Sequence, residues 1–363
     1  MQKEILNNDR GIAILITLTI ITILITVTLE LNRQVRTQVI SAAVSRDRLN
    51  LRQMAASGIH MGIGILMADK EKDQRARKMV DSVQEAWANP EKINEVMEAF
   101  PFDDGKLELT IVDEMGKIQV NALVTYPEGK NFNPDQRALW DDILAYFIPE
   151  SDSFDEVGTS GIVSSIKDWL DYGDDDRITG INGAESDYYK ELDPPYACEN
   201  GPFTDLDELV LVKGITPEMF YSVGELMQLS RYITVYGMVE KEKRFTFEGK
   251  ININTAELPV ISALLPDGEE EFAARMIEYR TETADGDFIN PLLDVNWYKK
   301  VPDWNDDIKL SDKLITVTSD FFHIECKASK NDLSVTTEAV IERKLKDNSN
   351  HKWTYRILSW KVL

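Results

Sequence analysis

Between Asp168 and Tyr189 the chain reads DWLDYGDDDRITGINGAESDYY, and seven carboxylates fall inside it: Asp168, Asp171, Asp174, Asp175, Asp176, Glu185 and Asp187. Carboxylates at this density suit a hard cation. Calcium takes six to eight oxygens at about 2.3–2.6 Å from carboxylates, carbonyls and water. Like charges packed so closely repel one another unless the loop is extended or a cation fills it. Gly180 and Gly183 let the chain fold back on itself. The Asp spacing and the terminal Glu do not follow the EF-hand template. A solvated acidic loop is the opposing reading, and composition alone favours it. The aromatic flanks Trp169, Tyr172, Tyr188 and Tyr189 argue instead for an ordered loop. Downstream, FTDLDELV offers Asp205, Asp207 and Glu208, although acidic residues equally suit the first turn of a helix.

Other chemistries find little support. The two cysteines, Cys198 and Cys326, and three histidines, His60, His323 and His351, form no Cys-x-x-Cys and no His-Glu-x-x-His, so the spacing speaks against zinc and haem. The cysteines leave open one disulfide or two separate thiols. No Gly-x-Ser-x-Gly elbow occurs, GTSG at 158–161 lacking the spacing, and neither His60 nor His323 has an obvious Ser or Cys partner. A net charge of −23 argues against a general nucleic-acid binder, which needs clustered Lys and Arg, and against docking on anionic lipid through the soluble part.

The elements that must hold these residues are legible from periodicity. Ile12–Leu29 is uncharged for 18 residues, about 27 Å as a helix and close to the thickness of a hydrocarbon core. It is too long for an ordinary signal-peptide core, and no small-x-small site follows closely. Leu49, Leu51, Met54, Ala55, Ile59, Gly62 and Ile65 then recur at helical spacing, with no proline before Pro90. One membrane helix therefore runs on into a long amphipathic one. Thr19, Thr22 and Thr26 share a stripe suited to packing against other helices in the bilayer. Basic residues stand on both sides, Lys3 and Arg10 before the run and Arg33, Arg36, Arg46, Arg48 and Arg52 after it, so charge asymmetry sets no orientation.

Residues 106–123 alternate and turn at Met115-Gly116, which predicts a hairpin of Leu107–Val112 with Lys117–Asn121. From Asn133 to Gln228 the pattern is helical; short strands are predicted at 231–237 and 243–249, two further helices follow, and strands return beyond Lys313. One sheet, begun by the hairpin and completed by the C-terminus around a helical insertion, is the economical arrangement. GKIQVNAL (116–123) echoes GKININTA (249–256), each opening a helical stretch, with Asn254 or Thr255 expected as a helix cap.

A polar leader ending in Arg10-Gly11 before an unbroken apolar helix resembles a type IV prepilin signal. That resemblance implies cleavage after Gly11 by a prepilin peptidase and a mature, methylated N-terminus at Ile12. It also places Ile16 where such subunits usually carry glutamate, a carboxylate thought to pair with a neighbouring subunit's N-terminal amine. Asp-Trp-Leu-Asp, the acidic stretch, Gly-Ala-Glu-x-x-Tyr-Tyr, NGPFTDLDELVLVKGIT and ININTAE, in that order, resemble the protein K family of the type II secretion system, the large minor pseudopilins. The likeness runs from Gly11 to the C-terminus, and the missing glutamate is a habit of that family.

The resemblance implies an α+β fold: a pilin-like long N-terminal helix packed on an antiparallel sheet, with a large inserted α-helical domain. It divides the chain into a leader at 1–11, a transmembrane helix at 12–31 and a pilin-like helix with the first strands at 32–121. An insertion follows at 122–305, its two helix-hairpin-helix or SAM-like parts at about 122–229 and 250–305, and closing strands at 306–363. It further implies calcium in the insertion, with Asp171, Asp174, Asp176, Glu185 and Asp187 as candidate ligands, although Gly173 stands where the family often has Asp. A non-enzymatic subunit of the bacterial inner membrane is expected, single-pass with its bulk in the periplasm. The implied partners are minor pseudopilins I and J at the pseudopilus tip and, beyond them, secreted proteins. An insertion too wide to admit another subunit above it would cap or initiate assembly. The alternative is a membrane-anchored helix-hairpin-helix protein that binds nucleic acid. The glutamates in Pro266-Asp267-Gly268-Glu269-Glu270-Glu271 speak against it, because they repel phosphate.

Overall fold

The computed structural model describes residues 9–98, 105–147, 158–172, 178–221, 228–241, 244–347 and 352–363. Helix α1 (Asp9–Ala76) runs for 68 residues. No proline interrupts its hydrogen-bond ladder, and at 1.5 Å per residue it is about 100 Å long. Its N-terminal apolar window has no buried residue. The hydroxyls of Thr19, Thr22 and Thr26 donate to the carbonyls one turn back, at 2.8 Å each, so the stripe is satisfied within the helix.

From Leu51 onward one face is covered: Leu51, Ala55, Ile59, Ile63 and Leu66 recur at three- or four-residue spacing and are buried. Each fully buried Leu or Ile contributes about 1.5–3 kcal/mol. Close approach to the sheet requires two glycines. A Cβ on Gly62 would come within 2.8 Å of Ile324 Cγ2, and one on Gly58 would overlap Cys326 Sγ.

The remaining helices are α2 (Pro90–Glu98), α3 (Pro134–Phe147), α4 (Gly158–Leu170), α5 (Ser186–Lys190), α6 (Pro217–Tyr221), α7 (Leu258–Ser262) and α8 (Glu271–Thr281). The strands are β1 (Lys106–Asp113), β2 (Ile118–Gln119), β3 (Ile233–Thr234), β4 (Met238–Lys241), β5 (Arg244–Phe247) and β6 (Ile251–Asn252), followed by β7 (Thr283–Ala284), β8 (Asp287–Phe288), β9 (Ile315–Thr316), β10 (Phe321–Lys330), β11 (Leu333–Asp347) and β12 (Lys352–Val362).

The main sheet is antiparallel in the order β1-β10-β11-β12. Leu109 faces Cys326 and Ile111 faces Ile324 across the first pair. Alternate residues Phe322, Ile324, Cys326 and Ala328 are buried, the period of two that a half-covered sheet requires. Ile59, Ile63 and Leu66 from α1 pack with Trp87, Ile93 and the inner sheet face into one core. Cys198 and Cys326 are separate buried thiols. The α+β class expected from the sequence is therefore the one observed.

The hairpin expected at Met115-Gly116 does not form. Asp113 accepts the Met115 N–H at 2.8 Å and opens a 3-10 turn over Glu114–Gly116 that carries the chain out of the sheet. β1 pairs instead with β10, and β2 pairs in parallel with β3. The excursion lasts until Phe321, so the bounds 122–305 lie inside it.

The excursion has a core of its own, built around Trp140, Trp169, Phe220, Ile261 and Trp297, and it contains the echo twice over in three dimensions. β2 pairs in parallel with β3, and β6 pairs in parallel with β9. Asn121 and Asn254, at equivalent places, are both buried. Asn121 donates to the Phe203 carbonyl at 3.0 Å and accepts the Phe203 N–H at 2.8 Å. Asn254 donates to the Leu292 carbonyl at 3.1 Å and accepts the Trp297 indole N–H at 2.7 Å. Each asparagine thus satisfies buried backbone or indole groups that would otherwise cost about 1–3 kcal/mol each. Neither Asn254 nor Thr255 caps a helix, because α7 begins only at Leu258, with Glu257 at its N-cap. Thr255 turns back and donates to Asp113 Oδ2 at 2.6 Å.

Candidate metal centre

Helix α4 buries every residue from Gly161 to Leu170, which places Asp168 in the interior at its last turn and Asp171 one residue beyond its end. The i, i+3 spacing puts both carboxylates on one face. Glu185 arrives from the returning chain, at the N-cap position of α5. Asp168, Asp171 and Glu185 are 0%, 1% and 2% exposed, and one oxygen from each lies within 4.8 Å of the others.

The return is shaped by the two glycines. Gly180 has φ +68°, and a Cβ on Gly183 would lie 2.6 Å from the Thr179 carbonyl oxygen and overlap Asp168 Oδ2. Thr179 donates its N–H to Asp168 at 3.1 Å. Burial pushes the Asp168 carboxyl above its ordinary value, against the opposing pull of the Thr179 hydrogen bond and Lys167.

Two lysines face the cluster. Lys167 Nζ is ion-paired with Asp171 Oδ2 and lies 3.9 Å from Asp168 Oδ1. Lys213 Nζ donates to the carbonyls of Asn182 at 3.2 Å and Gly183 at 3.5 Å, and stands 4.8 Å over the Tyr188 ring. The aromatic flanks fix the walls. Trp169 stacks on Phe203 at 6.1 Å and meets Tyr189 edge-on at 5.3 Å, both tyrosine and indole being buried.

Of the five ligands implied by the resemblance, the structure brings Asp171 and Glu185 together. It does not bring Asp187, whose side chain is 92% exposed and lies 3.6 Å from Lys190. Asp174 and Asp176 lie outside the described residues. Asp168 completes the trio; it belongs to the acidic stretch, and its i, i+3 relation to Asp171 was the signal available in the sequence. The acids of FTDLDELV serve local structure: Asp205 and Glu208 form a capping box on the 3-10 turn Leu206–Leu211, and Asp205 also holds Lys361 at 2.8 Å. The donor set suits a hard divalent cation. Among the described residues, the three buried carboxylates offer oxygen atoms, the ligand type such a cation takes.

Gly11 and Ile12, the cleavage residues implied by the resemblance, lie in the first turns of α1, Ile12 being 58% exposed. The hairpin at 266–271 weighed for nucleic acid, and the glycine turn at Lys213-Gly214, are occupied by this chain's own groups. The Gly268 N–H, at φ +84°, donates to Glu270 Oε1 at 2.9 Å, where a phosphate would need it. Beside Gly214, Lys213 is turned inward onto the loop carbonyls.

A second group of acids was not anticipated. Asp69, Asp81 and Glu85 also approach one another, but Asp81 is already held by Lys70 Nζ at 2.7 Å, by Arg343 Nη2 and by the Ser319 N–H at 2.8 Å. Asn252 links this group to the insertion, donating to the Asp81 carbonyl at 3.0 Å and to Asp113 Oδ2 at 2.9 Å. It is an ionic junction joining α1, β11 and β6. Burial, reinforced by Asp69 and Asp81, pushes Glu85 up to about 8, and burial pushes Asp69 and Asp113 up to about 6.

Comparison with known proteins places this geometry. The family model of type II secretion system protein K matches residues 116–238, the part that contains the three buried carboxylates. Type II secretion system protein K of Pseudomonas aeruginosa is 26% identical over 261 residues, covering 70% of this chain and 68% of the relative. Its namesake in Klebsiella pneumoniae is 21% identical over 215 residues, covering 59% and 60%. A chain in the crystal structure of the GspK–GspI–GspJ complex from the enterotoxigenic Escherichia coli type 2 secretion system superposes with TM-score 0.61 at 15% identity, covering 88% of this chain and 98% of that one. With the apolar first half of α1, the sheet beneath its second half and the acidic fold-back inside the matched segment, the chain resembles type II secretion system protein K over residues 116–238 in sequence and over most of its length in fold.

Proposed function

We propose that this protein is a minor pseudopilin at the tip of the type II secretion pseudopilus, a structural subunit rather than an enzyme, which caps or initiates assembly during protein export. The observation that carries the reading is α1: one helix, uncovered where it is apolar and packed on an antiparallel sheet where it is amphipathic. The first part is the inner-membrane anchor, with the bulk of the chain in the periplasm. A prepilin peptidase cleaves between Gly11 and Ile12 and leaves a methylated Ile12. The absence of a carboxylate at Ile16 fits a subunit with none above it. Minor pseudopilins I and J are the partners, the solved complex having GspK together with GspI and GspJ.

Calcium is the resident ion of the insertion. Asp168, Asp171 and Glu185 hold it, and the bound ion neutralises the repulsion that the fold-back creates. The Gly268–Glu270 contact and the inward Lys213 favour this reading over nucleic-acid binding.

Co-expression of the full chain with I and J tests the tip role. A ternary complex is expected on purification in detergent, and failure of all three to co-purify refutes it. Intact-mass analysis in the producing cell is expected to show a methylated chain beginning at Ile12; retention of Met1 beside an active peptidase refutes processing. Calcium is expected to raise the melting temperature and chelator to lower it. Asp168→Ala and Glu185→Ala should abolish the shift, and Asp187→Ala should leave it. No shift in the unaltered protein removes calcium from the account.

A further inference from the structure

Strand β12 ends its sheet, bonded to β11 on one side. The Leu363 N–H donates to the Thr336 carbonyl at 2.8 Å, and the Thr336 N–H donates to the Leu363 carbonyl at 3.3 Å. Thr336 and Leu363 are thus a hydrogen-bonded pair, and such pairs alternate along an antiparallel ladder. Trp360 and Val362, which face Ala339 and Thr337, therefore turn their N–H and C=O groups away from β11. Among the described residues no backbone group bonds to them.

Folded proteins shield such edges with short strands, proline or charges on the covered face. β12 is 11 residues long, about 36 Å, and contains no proline. Its α1 side carries Tyr355, Ile357, Trp360 and Val362, opposite the buried Arg343, Ile341, Ala339 and Thr337. The four form an apolar row, each 38–42% exposed. Helix α1 reaches the row at His60, whose ring stands 5.8 Å from that of Trp360. A bulge at Leu358, where Val340 faces Ser359 and Ile341 faces Ile357, bends the strand without ending it. The charged residues of β12 are all basic: Lys352, Arg356 and Lys361. On the face away from α1, Arg356 stands across from Glu342 and Lys361 across from Glu338. Arg356 is ion-paired with Glu342 at 2.7 Å and Lys361 with Asp205 at 2.8 Å, and both basic side chains are still half exposed.

We propose that β12 is a docking edge, on which an extended segment of a partner subunit adds as a fifth strand. The segment alternates apolar residues, which continue the row beside α1, with carboxylates, which continue the acid–base rungs through Arg356 and Lys361. Main-chain hydrogen bonds supply the affinity and the alternation supplies the specificity. The inference rests on the tip-complex reading, which supplies the partner subunits. A second copy of this chain fits poorly. Antiparallel pairing of two β12 strands needs a two-fold axis normal to the sheet, which turns α1 end for end. Two copies anchored by α1 in one membrane cannot both sit that way. Parallel pairing of copies is heterologous and does not close.

The test is amide hydrogen exchange, read residue by residue by mass spectrometry, on the full chain in detergent, alone and in complex with I and J. The Trp360 and Val362 amides are expected to exchange about tenfold more slowly, or better, in the complex. Unchanged exchange at both, in a ternary complex that forms, overturns strand addition and leaves the tip reading standing. Failure of the complex to form overturns the two together. Slowing that grows with the concentration of the chain alone assigns the edge to a second copy and overturns the proposal. Val362→Pro removes an outward N–H without touching a bond to β11, and it should weaken association about tenfold. Val362→Ala keeps the N–H and should bind like the unaltered chain. Equal binding by the two variants overturns the proposal; should Val362→Pro fail to fold, the exchange result decides. Association should also weaken as salt is raised, and salt-independent association overturns the acidic partner.

Discussion

Asp81→Asn removes one negative charge and almost no volume from the junction between α1, β11 and the insertion. Asp81 is wholly buried, and its partners Lys70 and Arg343 are 2% and 0% exposed. The asparagine keeps an oxygen for the Ser319 N–H. It does not keep a counter-charge for two buried cations. Breaking a buried pair by removing one partner costs about 3–5 kcal/mol, most of it the penalty of the charge left behind. The neighbours modulate that figure with pH. Asp69 and Glu85 lie beside Asp81, and in the fold their carboxyls are pushed up to about 6 and about 8. At pH 5.5 Asp69, the neighbour that feels both Arg343 and Lys70, is mostly neutral and offers little, so the loss should sit near 5 kcal/mol. At pH 8.5 it is ionised and takes up part of the Arg343 and Lys70 charge, which should bring the loss nearer 3 kcal/mol. Guanidinium unfolding followed by tryptophan fluorescence reads both values, Trp87 and Trp353 lying beside the network. Asp81→Asn with Arg343→Met should recover stability relative to the sum of the two single changes, because the stranded cation is gone. A loss below about 1 kcal/mol at both pH values, or strict additivity of the pair, refutes the view that this junction is held by buried charge.

Two further predictions concern the same body. Gly58→Val drives two methyl groups into Cys326 and should cost about 1–3 kcal/mol of stability or more, whereas Gly64→Ala, with open space around it, should be neutral or slightly stabilising; both are read by denaturant midpoints. Stability should fall as pH rises from about 5 to 8.5. The fold raises Asp69, Asp113 and Glu85 above their ordinary values, so its neutral forms contribute fully below the unfolded pKa near 4 and the contribution is lost through 6 to 8. Melting temperatures across that range check this. Removing Glu85 with Glu85→Gln should flatten the upper part of the profile, and an unchanged profile contradicts the assignment.

Much of this molecule is local and therefore legible. The uncharged run and the Leu51-to-Leu66 spacing specify a helix that is apolar and uncovered first and sheet-facing later. Alternation in FFHIECKAS and WTYRILSWKVL specifies the closing strands. The echo of GKIQVNAL in GKININTA marks two equivalent strand-and-asparagine units. The acidic fold-back with Gly180 and Gly183 marks the site. Three things were settled only in three dimensions. The partner of β1 is β10, more than two hundred residues away, because pairing depends on which inner face meets α1 and not on the nearest alternating segment. The side chains that converge are Asp168, Asp171 and Glu185, while Asp187, two residues from Glu185, points to solvent; sequence counts carboxylates, but burial selects among them. Lys70 and Asp81, 11 residues apart, are met by Arg343 from 262 residues beyond Asp81, and none carries a motif. Periodicity is written in neighbours along the chain, whereas desolvation and charge pairing belong to neighbours in space.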